Sequence, residues 1–144
     1  TNINIKLFIK WLEEENIKPF IEIETNGTIQ PNNFLLEKVN QWNCSPKLSN
    51  SGNEKNTRFK KDVLFLLNGL NTQFKFVISS MEDWEEVKED FNFLDTEKIW
   101  LMPSGENQML LNESRLITVN LCIENQIKYS ERLHIVIWNK KTGV

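Results

Sequence analysis

Cysteine is scarce: the 144 residues hold two, Cys44 and Cys122, far apart and with no C-x-x-C pairing. A chain so built offers neither a disulfide framework nor a thiolate metal cluster of its own, and two reduced, mostly buried thiols are expected. There is one histidine, His134. No zinc motif, nucleophile–base pair or glycine-rich phosphate loop is present, so the common signatures of hydrolases and nucleotide-binding enzymes are missing. Positive charge is not in excess. With 17 Lys and Arg against 20 Asp and Glu the formal net charge is -3, which leaves no basic footprint for nucleic acid. No apolar run approaches the roughly 20 residues that span a bilayer, and no basic segment leads into a signal-like core. The expectation is a cytoplasmic protein with neither a nucleic-acid nor a membrane partner.

What remains is ordinary globular composition, 40% hydrophobic and 26% charged, at a length that suits one domain. A chain of this size buries roughly 68–70% of the surface its unfolded form exposes. No repeat or low-complexity stretch divides it, so residues 1–144 read as a single α/β region. Residue 1 is Thr and an amphipathic pattern starts within a few residues, from which a fragment or a processed or split chain is expected.

Along the chain, Ile5, Phe8, Trp11 and Leu12 share a helical face, and Pro19 stops that helix. "FIEIET" alternates, Ile21 and Ile23 against Glu22 and Glu24, and Asn26-Gly27 supplies a turn. "NNFLLEKVNQWNCSPK" predicts a helical turn and a second strand that Pro46 ends. The polar "SNSGNEKNTR" reads as a loop, and "FKKDVLFLLNGL" as a helix closing near Gly69. A third strand sets Phe74, Phe76 and Ile78 against Lys75, Val77 and Ser79. Serines then cap a helix carrying Met81, Trp84, Val87, Phe91 and Leu94. "KIWLMPSGEN" predicts a fourth strand. Asn112 is expected to cap a helix whose buried stripe is Leu116, Val119, Ile123 and Ile127. "RLHIVIW" alternates and predicts the last strand, with His134, Val136 and Trp138 on one side. Helices alternating with strands imply a largely parallel sheet with crossover helices. Five strands are too few for a full eight-stranded barrel, so an open sheet or part of a barrel is expected.

Parallel strands point their carboxyl ends the same way, where ligands bind in such folds. Glu24-Thr25-Asn26, Ser45-Pro46-Lys47, Ser79-Ser80 and Pro103-Ser104-Gly105 then gather on one polar rim. Its donors, acceptors and ammonium suit a ligand with a carboxylate, an amine and ribose hydroxyls. The same residues also turn chains and cap helices, and either role accounts for each one singly. Arg132 suits an anionic substrate or a solvated salt bridge, and His134 a ligand or a structural role.

The ordered set "ETNGT", "CSPKLS", "FKFVI", "LMPSG", "RLHIVIW" and a final "GV" resembles the C-terminal part of the 7-carboxy-7-deazaguanine synthase family. These are radical S-adenosylmethionine enzymes of queuosine biosynthesis. The resemblance implies a partial TIM-like barrel and a lyase that converts 6-carboxy-5,6,7,8-tetrahydropterin to 7-carboxy-7-deazaguanine. It implies S-adenosylmethionine, a 4Fe-4S iron-sulfur cluster and magnesium as cofactors. It places Ser45, Pro46 and Lys47, together with Met102, Pro103, Ser104 and Gly105, at the S-adenosylmethionine site, with Glu24 and Asn26 near cofactor and substrate. It places His134 and the tail ending at Val144 over the pterin. The family's three cluster cysteines, its magnesium ligand and its "GGEP" segment are absent from this chain, so no catalytic or metal-binding residue is assigned here. The expected partners are an N-terminal half on another chain or missing, the pterin, and a second copy in a homodimer of the complete enzyme. Alone, the chain is expected to be inactive. A non-catalytic α/β ligand-binding or interaction module built on that fold is the alternative.

Overall fold

A computed structural model describes residues 2–140. The first helix, α1 (Asn2–Glu14), leads into strand β1 (Glu22–Thr25), and α2 (Asn33–Lys38) carries the chain over to β2 (Gln41–Cys44). A one-turn helix α3 (Lys55–Arg58) and α4 (Lys61–Asn68) precede β3 (Thr72–Ile78). Helix α5 (Met81–Asp90) leads to β4 (Ile99–Pro103), α6 (Gln108–Asn125) to the short β5 (Lys128–Tyr129), and α7 (Leu133–Trp138) follows. The five strands form one sheet in the order β1-β2-β3-β4-β5, every pair parallel.

That monotonic order decides the architecture. Crossovers are right-handed, so strands added always on the same side put their helices on one face, whereas a doubly wound sheet reverses direction and covers both. Burial follows this rule. On β2, β3 and β4, Trp42, Cys44, Phe74, Phe76, Ile78, Ile99 and Leu101 are buried, and they form one cluster with Leu35 of α2, Leu64 and Leu67 of α4, Trp84 and Val87 of α5, and Leu121 of α6. Each fully buried Phe or Leu in this layer contributes roughly 1.5–3 kcal/mol. The alternate residues, Asn43, Gln73, Lys75, Val77, Trp100 and Met102, are only half-buried. A parallel sheet is normally covered on both faces; here one face is left uncovered and mixed, with Asn43, Gln73 and Lys75 beside Val77, Trp100 and Met102.

Three sequence expectations are corrected. Helix α6 begins well before Asn112, capped by Asn107, whose side chain accepts from the Leu110 N–H at 3.0 Å. Its stripe is therefore rotated. Leu111, Ser114, Thr118, Leu121 and Cys122 face inward, while of the expected stripe Leu116 and Ile123 are 68% and 72% exposed, Val119 is half-buried, and Ile127, just past the helix, is buried. The segment 133–138 is helix α7 and not a strand. Its β-branched residues favour a strand, but Lys128 and Tyr129 already pair with β4 and Ser130 donates to the Leu101 carbonyl. The chain then turns at Arg132, whose carbonyl accepts from the Ile135 and Val136 N–H groups. Only Ile135 of α7 is buried. Third, the polar stretch 49–58 is more than a loop, since it contains α3 and buries Arg58.

Candidate functional site

Two cavities lie at the carboxyl ends of the strands. The first, about 480 Å³, is lined by Glu24 and Asn26 on and after β1, Asn43, Ser45 and Lys47 on and after β2, and Lys75 of β3, with Thr25, Cys44 and Met102 completing it. The register explains the convergence. Glu24 stands beside Asn43, and alternation puts Asn43, Lys75 and Met102 on the same uncovered face. The side chains of Glu24, Lys47 and Lys75 make no hydrogen bond or ion pair among the described residues, which leaves one carboxylate and two ammonium groups for a ligand.

The turn at the β1 end is built by its own side chains. Asn26 Oδ1 accepts from the Thr28 N–H at 3.1 Å and from the Thr28 hydroxyl at 2.7 Å. Its amide nitrogen is left to donate. Gly27 has φ +75°, and a Cβ there would stand 2.5 Å from Leu64 Cδ2 and 2.9 Å from Cys44 Sγ. The glycine thus lets the turn press onto α4 and β2. Ser45 is held in the sheet end: its N–H donates to the Thr25 carbonyl at 2.8 Å and its hydroxyl to the Lys75 carbonyl at 3.1 Å.

Lys47 owes its position to a buried charge. Arg58, 6% exposed, donates Nη1 to the Lys47 carbonyl at 3.0 Å and Nε to the Asn53 carbonyl at 3.1 Å. The same Nη1 lies 2.6 Å from Glu86 Oε1 on α5, off the direction of a hydrogen bond, so this contact is an ion pair. Glu86 Oε2 accepts from the Ser49 N–H and hydroxyl at 2.9 and 2.6 Å. Burial tends to raise the Glu86 pKa, but the Ser49 hydrogen bonds and Arg58 outweigh it and hold the carboxyl below its ordinary value.

The second cavity, about 490 Å³, lies beyond the β4 end and takes in Ser79, Ser104, Gly105, Glu113 and Arg132. Gly105, at φ +148°, lies so close to α6 that a Cβ would meet Leu111 N at 2.5 Å. Arg132 lines this cavity and donates Nη1 to the Gly105 carbonyl at 2.9 Å. Beneath it Glu131 accepts from Arg115 Nε and from the Tyr129 hydroxyl, both at 2.9 Å, and from the Arg132 N–H at 2.9 Å. Burial would raise its pKa; the Arg132, Tyr129 and Arg115 hydrogen bonds lower it. This network fixes the entry into α7.

Of the residues singled out by the sequence, Glu24, Asn26, Ser45, Lys47 and Met102 share the first cavity, and Ser104 and Gly105 line the second. Pro46 and Pro103 are buried and line neither. They shape the strand ends. His134, expected on a strand, sits exposed on α7 and lines neither cavity. Val144 lies outside the described residues. Asn43 and Lys75 were missed as site residues, although the alternation that buries Phe74 and Phe76 already turns Lys75 to the open face. Arg58 carried no signal beyond its place in a polar loop.

Among the described residues no three His, Cys, Asp or Glu side chains are grouped to hold a metal ion, and no helix is long and apolar enough to cross a membrane. Both cysteines are free and buried. Burial pushes the Cys44 thiol up to about 12, against a small opposing effect of Lys47, and the Cys122 thiol up to about 11. Thiols so disposed do not suit an iron-sulfur cluster, whose ligands are thiolates.

No protein-family profile matches the chain. It is similar to a 7-carboxy-7-deazaguanine synthase of Pyrobaculum aerophilum, 29% identical over 125 aligned positions, with 85% of this chain and 54% of that protein covered. It is also similar to a 7-carboxy-7-deazaguanine synthase of Halobacterium salinarum, 28% identical, with 81% of this chain and 53% of that protein covered. The chain thus spans about half the length of the curated relatives it matches.

Proposed function

We propose that the chain is the C-terminal portion of a radical S-adenosylmethionine 7-carboxy-7-deazaguanine synthase. In this reading it binds S-adenosylmethionine and 6-carboxy-5,6,7,8-tetrahydropterin, and a complementary half supplies the cluster and magnesium ligands. The observation that carries the reading is the first cavity, where the ends of β1 and β2 and the middle of β3 bring Glu24, Asn26, Ser45, Lys47 and Lys75 to one pocket.

The donor set fits the cofactor's amino-acid end and ribose. Glu24 accepts from an α-ammonium, Lys47 or Lys75 neutralises an α-carboxylate, and the Asn26 and Asn43 amides bond ribose hydroxyls. Bound S-adenosylmethionine supplies the hydrogen-abstracting radical chemistry. The chain's own residues bind and orient. The Arg58–Glu86 pair holds the backbone at Lys47, and the Gly27 turn holds Glu24 and Asn26. The cluster has no ligand set among the described residues.

The test is reconstitution. The chain, joined or mixed with the polypeptide encoded immediately upstream, is loaded anaerobically with iron and sulfide and supplied with S-adenosylmethionine, magnesium and the carboxylated pterin. Formation of 7-carboxy-7-deazaguanine, read by mass spectrometry and reduced at least tenfold by Lys47→Ala, is the expected result. An assembly that binds S-adenosylmethionine equally well with and without Lys47 and Lys75 would remove the cavity from the cofactor site. An assembly that binds it yet gives no product would favour the non-catalytic ligand-binding module.

A further inference from the structure

We infer that Asn26 is a self-modifying residue of the first cavity: the Gly27 nitrogen attacks the Asn26 side-chain amide, and the amide is exchanged for a carboxylate. The chemical step stands apart from the functional reading above. Only its consequence for S-adenosylmethionine rests on that reading.

The turn after β1 polarises both reacting groups in the direction the step requires. Asn26 Oδ1 accepts twice from Thr28, from its N–H at 3.1 Å and from its hydroxyl at 2.7 Å. These donors draw charge from Cγ and stand where negative charge gathers on the oxygen as a nucleophile adds. The Gly27 N–H donates to the Thr25 hydroxyl oxygen at 3.1 Å, which puts an acceptor on the proton that has to leave. With no Cβ on Gly27, the attacking nitrogen is also unhindered from its own side. Gly27 itself is buried against Leu64 and Cys44, whereas Asn26 is exposed, so the side chain is the part that moves to close the ring.

A bond forms between the Gly27 nitrogen and Asn26 Cγ, and the Cγ–Nδ2 bond breaks. The Gly27 amide proton leaves with Nδ2 as ammonia, and a cyclic imide remains. Water opens the imide at either carbonyl, giving Asp at position 26 or an isoaspartate whose main chain runs through Cγ. Water is the only co-reactant, and nothing is oxidised or reduced. The sequence holds a second Asn-Gly pair, Asn68-Gly69, which serves as an internal control. It closes α4, where the Gly69 N–H donates to the Leu66 and Leu67 carbonyls and Asn68 Oδ1 accepts from the Asp95 N–H at 3.0 Å. There the nitrogen is tied into the helical ladder and the carbonyl has one donor in place of two. At Asn26 the product removes an amide donor from the cavity and adds a carboxylate near Glu24, which weakens the hold of Lys47 and Lys75 on an anionic ligand.

The test is incubation of the purified chain in mildly alkaline buffer, with the peptides containing Asn26 and Asn68 followed by mass spectrometry and isoaspartate labelled by an isoaspartyl methyltransferase. Asn26 should lose its amide about tenfold or more faster than Asn68, and Thr28→Val should slow Asn26 by about tenfold without altering Asn68. Equal rates at the two asparagines overturn the inference. So does a faster loss at Asn26 in Thr28→Val, which would make the threonine a lock on the side chain. If that variant unfolds, the rise at Asn68 reports it, and the ratio of the two sites in the unsubstituted chain decides. In the assembled protein, saturating S-adenosylmethionine should slow the loss at Asn26 and leave Asn68 unchanged. Modification at the same rate with and without S-adenosylmethionine keeps the self-modifying turn and defeats the functional reading of the cavity.

Discussion

Replacing Arg58 by Met should be among the most damaging single changes outside the apolar core. Met keeps much of the volume but removes the charge facing Glu86 at 2.6 Å and the donors to the Lys47 and Asn53 carbonyls. Breaking a buried pair from one side costs about 3–5 kcal/mol, because the partner charge stays in a poorly solvated place. Glu86 keeps its two Ser49 donors and a 13% exposed side chain, which argues for the lower half of that range. At about 4 °C per kcal/mol for a domain near this size, the melting temperature should fall by about 12–16 °C. The pH dependence identifies the cause. The folded Glu86 carboxyl titrates below its ordinary 4.5, so its contribution to stability is fully present above pH 4.5 and is lost as pH falls through the folded value. Urea unfolding of wild type and Arg58→Met should therefore give a large difference at pH 7 that shrinks as the pH is taken well below 4.5. A difference under about 1 kcal/mol at pH 7, or one that persists unchanged in acid, refutes the assignment of this pair as the clamp on the β2 end.

Lys47→Ala should weaken S-adenosylmethionine binding to the assembled protein by about 1–3 kcal/mol in calorimetry, the worth of a hydrogen bond to a charged group; unchanged affinity removes Lys47 from the pocket. Gly27→Ala should destabilise by about 2–4 kcal/mol, combining left-handed backbone strain with the overlap against Leu64 and Cys44; a loss under 1 kcal/mol shows that the turn relaxes freely. The Cys44 thiol is raised from an ordinary 9.0 to about 12, so stability should decline as pH rises above about 9, at up to about 1.4 kcal/mol per pH unit, and Cys44→Ala should flatten that limb of the urea-midpoint profile. His134→Ala should leave thermal stability within about 0.5 kcal/mol because the residue is exposed; in the assembled enzyme a raised KM for the pterin would keep it as a substrate contact, and unaltered kinetics would withdraw it.

Elements whose burial matches a local period were legible. Strand β3 alternates on every residue, and the uncovered parity of Lys75 follows from the burial of Phe74 and Phe76. The turn after β1 was legible from Asn26-Gly27, since an Asn side chain that accepts from its own downstream N–H and a glycine at positive φ are local chemistry. The region 132–138 was not. Its alternation of Leu, Ile and Ile with His, Val and Trp is a strand pattern, and only the completion of β5 at Tyr129 and the Arg132 turn, both tertiary facts, make it helical. The stripe of α6 failed for a related reason. Met109, Leu116 and Ile123 recur every seven residues and mimic a buried face, yet the inward side uses Ser114 and Thr118, whose hydroxyls bond back to the helix and to Ser104.

The uncovered inner face explains why the site was partly visible from the strands alone. A sheet covered on both sides hides its ligand residues in loops, beyond any periodic signal. Here helices cover one side only, so each strand carries two messages, an apolar one for the core and a polar one for the pocket, and the pocket residues inherit the period of two. Asn43 and Lys75 alternate with Trp42, Cys44 and Phe74 for this reason. What the period does not carry is the support behind them. Arg58 and Glu86 come from a loop helix and the far side of α5, and they meet at the backbone of Lys47 only because the crossover after β2 folds back over the strand end. Placement of Lys47 thus depends on a charge pair that no local pattern announces, and it is there that changes remote from the pocket should be felt as changes within it.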